Sequence, residues 1–108
     1  MTANLIELNK ANFGREVLHA GQPVLVEFWA RWSAPCKAMA PVVEAVAQDP
    51  VIAVKVTMVD VEQNEGLVEK YGVRSVPTLL IFNQGGLRDQ IVGRATEQYV
   101  REKLERLK

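Results

Sequence analysis

The stretch Val24-Leu25-Val26-Glu27-Phe28-Trp29 constrains the fold of this chain more than any other segment. A strand with one face in water alternates apolar and polar residues. An almost unbroken apolar run belongs to a strand covered on both faces. The chain must therefore supply a layer for each side of a sheet, and the flanking segments read as helices able to do so. Asn9 to Ala20 carries an apolar stripe of Phe13, Val17 and Leu18, with Asn12 as the expected N-cap. Gly21 ends that helix and Pro23 prevents its continuation. After the strand, Ser33 can cap a helix running to about Gln48, with Met39, Val42, Val43 and Val46 inward. Pro41 within it is expected to kink the axis.

The remaining elements follow the same rules. Leu5 to Leu8 is a short apolar patch suited to an edge strand, and Val51 to Val59 is a β-branched run read as another strand. Asn64 to Tyr71 reads as a short helix stopped by Gly72. Pro77 opens the strand Thr78-Leu79-Leu80-Ile81-Phe82. Gln84-Gly85-Gly86 makes a turn, and Leu87 to Val92 returns as a hairpin that Gly93 breaks. Thr96 caps a last amphipathic helix bearing Tyr99, Val100, Leu104 and Leu107. Helices interleaved with apolar strands, closed by an antiparallel hairpin, imply an α/β domain spanning residues 1–108.

Composition mainly excludes functions. Basic and acidic residues both number 13, so the formal net charge is zero and nothing marks a nucleic-acid or acidic-membrane partner. Apolar runs such as Val76 to Phe82 are too short to span a bilayer. The start, Met1-Thr2-Ala3-Asn4-Leu5, lacks the basic and apolar regions of a signal peptide. A single cysteine excludes a secreted disulfide framework, and one cysteine with one distant histidine offers no metal cluster. The expected setting is the cytoplasm. His19 reads as a surface residue, and Arg101-Glu102-Lys103 with Glu105, Arg106 and Lys108 as a solvated mixed-charge helix face.

The chemistry concentrates in Trp29-Ala30-Arg31-Trp32-Ser33-Ala34-Pro35-Cys36-Lys37. This loop leaves a buried strand and opens a helix, so free backbone N–H groups and the helix dipole face its tip. A thiol there would be activated. The first position of the loop is Ser33, whose hydroxyl gains little from that field and needs a general base to attack anything. His19 falls in another helix, so no Ser–His–acid triad forms.

Val24 to Lys37, Pro41, the segment Tyr71-Gly72-Val73-Arg74-Ser75-Val76-Pro77-Thr78-Leu79, Gly85 and Val92-Gly93 together resemble the thioredoxin family across nearly the whole chain. The resemblance implies a thioredoxin fold, a central mixed sheet of about five strands flanked by about four helices, and a protein-disulfide reductase lineage. It implies a Trp-Cys-Gly-Pro-Cys-Lys active site, a cis proline at Pro77, and a substrate groove at Trp32, Ala34, Pro35, Val76, Pro77 and Gly93. Ser33 stands at the attacking cysteine and Cys36 at the resolving one. Glu27 takes the place of a buried aspartate that handles the resolving cysteine's proton, Ala34 that of a glycine, and Met58 that of a lysine. No cofactor or metal is implied. The implied partners are protein or peptide substrates and thioredoxin reductase, with the chain a monomer.

A dithiol enzyme stores two electrons by closing a disulfide between its own sulfurs, and one cysteine cannot do so. Three readings follow: a reductase lineage that is inactive or severely impaired, a redox-independent peptide-binding module or holdase, and a monothiol protein that forms mixed disulfides through Cys36. The first is favoured. Cys36 is expected to be recessed and sluggish toward thiol reagents, and Glu27 to be buried and neutral at pH 7. Trp29 is expected to be partly core, whereas Trp32 at the loop tip suits contact with a partner.

Overall fold

The computed structural model describes residues 5–107. Met1–Asn4, read above as the start of a leader-free chain, and Lys108 of the charged helix face lie outside the described residues. A five-stranded sheet runs in the order β1-β3-β2-β4-β5, with β1 at Ile6–Glu7, β2 at Val24–Trp29, β3 at Lys55–Asp60, β4 at Thr78–Asn83 and β5 at Gly86–Val92. β3 is parallel to β1 and β2, whereas β4 is antiparallel to both β2 and β5. A π-helical turn at Gly14–Leu18 and three α-helices, α1 (Ala34–Gln48), α2 (Glu65–Lys70) and α3 (Glu97–Glu105), cover the faces. This is the α/β thioredoxin fold expected from the sequence.

The central strand behaves as its apolar run requires. Val24, Val26 and Phe28 pack with Phe13, Val17, Val59, Leu80 and Phe82 on one face. Leu25 packs with Met39, Val43, Val46, Leu79, Val100 and Leu104 on the other. Among the described residues, no helix is long and apolar enough to cross a membrane.

Local chemistry shifts several boundaries. The first helix is shorter than expected, because its first residues form a turn instead: Asn9 Oδ1 accepts from the N–H groups of Ala11 and Asn12. Asn12 instead accepts from Asn9 N through Oδ1 and donates through Nδ2 to the Glu7 carbonyl. The turn then widens to π geometry, with His19 N donating to Gly14 O at 2.9 Å. Lys55 Nζ holds it to β3 by donating to Glu16 O at 2.9 Å and pairing with Glu16 Oε1 at 2.6 Å.

The β-branched run from Val51 does not enter the sheet until Lys55. Asp49 Oδ1 accepts from Val51 N, Ala53 has φ +55°, and Val51 is 77% exposed, so a turn consumes its first residues. In the hairpin, Gln84 (φ +53°) and Gly85 (φ +81°) form the two-residue turn and Gly86 already pairs with Asn83. A Cβ at Gly85 would lie 3.0 Å from the Leu18 carbonyl, so close approach as well as backbone angle demands glycine there. Helix α1 continues through Pro41, which sits on its exposed side, and α3 ends before Leu107, which still packs partly against the core.

Candidate functional site

The site is built where β2 ends and α1 begins. Ser33 N donates to Ala30 O at 3.1 Å, closing the connection. Ser33 is the N-cap, with extended backbone (φ −87°, ψ 118°), and its Oγ accepts from Cys36 N at 3.2 Å. One of the helix's otherwise orphaned donors is thereby satisfied by the side chain. Pro35 occupies the first turn, where the N–H it lacks has no intrahelical partner to lose. The loop sorts its side chains by face. Trp32 is 67% exposed and Ala34 and Pro35 are exposed, whereas Ser33 is only 3% and Cys36 only 6% exposed.

Two other segments meet this loop. The Val76–Pro77 peptide is cis, Pro77 is buried, and its carbonyl accepts from Gly93 N at 2.8 Å. Gly93 has φ +86°, a conformation other residues rarely adopt. Phe28 lies opposite Thr78 in the antiparallel register, so Pro77 stands beside the exit of β2. Ala95 N donates to Met39 Sδ at 3.3 Å, tying the Gly93 loop to α1. The Val76–Pro77 and Gly93 segments thus lie at the same end of the sheet as the loop after β2. Val92, 62% exposed and next to Gly93, adds apolar surface there. Sequence reasoning passed over it, although its alternation with buried Ile91 was a usable signal.

Behind the loop lies a buried acid. Glu27 is 3% exposed and pairs across the sheet with Met58. Among the described residues its carboxyl has no hydrogen bond or ion pair. Burial alone pushes its pKa from 4.5 to about 7. Desolvation thus shifts the acid toward its neutral form, the direction expected from the sequence.

The carboxyl faces a cavity of about 270 Å³ lined also by Trp29, Cys36, Ala40, Val43 and Met58. Trp29 is half-buried as expected, and its Nε1 is buried without a hydrogen-bond partner among the described residues. Ala40 and Val43 were not among the sequence-derived site residues. Their helical spacing of four and seven from Cys36 was the available signal.

Chemically, the arrangement holds one free, recessed sulfur. Ser33 carries a hydroxyl whose oxygen already serves the helix, and His19, exposed beyond the π-helical turn, makes no hydrogen bond to it. A helix N-terminus at the end of central strand β2, at the same sheet end as a cis-proline loop, is the arrangement that the thioredoxin resemblance implied. The comparisons with known proteins agree: the thioredoxin family profile matches residues 4–106. The chain is 47% identical over 83 residues to Thioredoxin 1 of Synechococcus elongatus, covering 77% of this chain and 78% of that protein. It is 44% identical over 95 residues to Thioredoxin C-2 of Corynebacterium nephridii, with 88% of each covered. It is 40% identical over 93 residues to Thioredoxin of Pseudomonas aeruginosa, with 86% of each covered. The chain belongs to the thioredoxin family, and it has a single cysteine.

Proposed function

We propose that this protein is a redox-disabled member of a protein-disulfide reductase lineage whose remaining capacity is to hold extended peptide segments. The observation that carries the reading is Ser33 at the N-cap of α1, buried, with its oxygen accepting from Cys36 N. The reductase cycle needs an exposed thiolate to attack a substrate disulfide and a second sulfur to resolve the mixed disulfide. Here the attacking position holds an alcohol with no base, and the only thiol is recessed. Neither half of the cycle can start within this chain.

The groove supports the second half of the reading. Exposed Trp32 and Pro35 lie at the same end of the sheet as the Val76–Pro77 and Gly93 segments, a setting in which a bound segment could pair by backbone hydrogen bonds. Zero net charge carries no footprint for nucleic acid, which favours a protein or peptide partner. Thioredoxin reductase is a candidate partner through the same surface.

The decisive experiment measures reduction of a model disulfide by the protein and by its Ser33→Cys variant. The protein as it stands should show no turnover, and the variant should recover it. Turnover by the unsubstituted protein refutes the reading. An inactive variant would place the defect at Glu27 and Met58 and leave a dedicated binding module.

A further inference from the structure

The cavity behind the active-site loop is distinct from the peptide groove. Its walls come from β2, β3 and α1 and include none of Trp32, Val76, Pro77 and Gly93. It shares Trp29, Arg31 and Met58 with a polar hollow along β1 and β3, so it lies toward that side of the molecule. The walls are mainly apolar, yet one carboxyl, on a residue 3% exposed, faces the space with no partner among the described residues. A mainly apolar pocket with a few polar groups, here the buried Glu27 carboxyl and the unpartnered Trp29 Nε1, is the usual form of a small-molecule site. At about 270 Å³ this one suits a fragment-sized occupant.

We propose that the cavity binds a small neutral amphiphile, an apolar body bearing a primary carboxamide that pairs head to head with protonated Glu27. The acid O–H donates to the amide carbonyl, and the amide N–H donates to the acid carbonyl. The pair satisfies the acid and, of the amide, the carbonyl and one N–H.

The charges around the site decide between a neutral and a cationic occupant. Glu27 comes from β2. The cavity face of β3 contributes Met58, while Lys55 at that strand's start is engaged by Glu16 and Asp60 stands at its end. Helix α1 contributes Lys37 and Glu44, and the loop contributes Arg31. None forms an ion pair with Glu27. Cations thus outnumber the other acid at the rim. An ammonium entering the cavity would have its charge desolvated, and the two oxygens of one carboxylate would serve only two of its three N–H donors. A carboxamide carries no charge to desolvate, and its carbonyl and one N–H find partners in one group.

The test is an NMR titration of the full chain with benzamide. Saturable shifts should centre on Cys36, Val43 and Met58, and the apparent pKa of Glu27, read from its carboxyl carbon, should rise. Because only the protonated acid completes the pair, affinity should weaken about thirtyfold between pH 6 and pH 8.5, given a Glu27 pKa of about 7. Glu27→Gln should keep binding but lose its pH dependence, since an amide also pairs with an amide. Val43→Phe should fill the cavity and abolish binding, with Ala40→Leu as the milder filler if the larger change unfolds the chain. The proposal is overturned by an absence of saturable shifts, by shifts centred on Trp32, Pro77 and Gly93, by pH-independent binding, or by butylammonium binding more tightly than benzamide.

Discussion

Glu27 offers a stability prediction whose sign and window follow from its surroundings. The acid is 3% exposed, unpaired among the described residues, and titrates near pH 7 in the folded protein against about 4.5 for an unburied carboxyl. The folded state therefore binds a proton between those values that the unfolded state has released. By linkage, stability falls as pH rises through this window, and the contribution present below pH 4.5 is gone above pH 7. At 1.36 kcal/mol per pH unit, the loss between pH 5 and pH 8.5 is about 2–3 kcal/mol. The paired carboxylates Glu16, Asp49 and Asp89 are shifted the opposite way and titrate below pH 4.5, so they leave the window clear. Urea unfolding at half-unit intervals should show the midpoint of the native chain dropping with pH while that of Glu27→Gln stays nearly flat. Parallel profiles for the two proteins would refute the burial argument, as would a native profile that rises.

Ser33→Ala removes the side-chain acceptor for Cys36 N at the start of α1 and should cost about 1 kcal/mol, a few degrees in melting temperature, measured by thermal unfolding. An unchanged midpoint would mean that the cap contributes nothing. Cys36, only 6% exposed, should alkylate far more slowly than a free thiol and accelerate to the free rate in denaturant; mass spectrometry after exposure to oxidised glutathione should likewise find little adduct on the folded protein. Rapid labelling of the native state would restore the monothiol reading.

Legibility from sequence followed the range of the interactions. The Ser33 cap, the existence of a hairpin turn at Gln84-Gly85 and the Thr96 cap, whose Oγ1 accepts from Tyr99 N, depend on residues within three positions of each other and were readable, the turn to within one residue. The start of β3 was not, because Val51 and Ile52 have strand-like side chains while Asp49 and the positive φ at Ala53 turn the chain first. The first helix misled for a similar reason. Asn9 and Asn12 are both capping residues, and only the reciprocal bonds between them, with Asn12 also reaching Glu7, assign their roles.

The sequence by itself determined that β2 is buried on both faces, that helices cover the sheet, and that a lone cysteine precludes an internal disulfide. These rest on apolar periodicity and on a count, which are properties of the chain alone. Only the tertiary structure decided that Met58 stands opposite Glu27, that the carboxyl faces a cavity rather than solvent, and that its proton is held near neutral pH. Those depend on register and desolvation, which arise when residues about thirty positions apart are brought side by side.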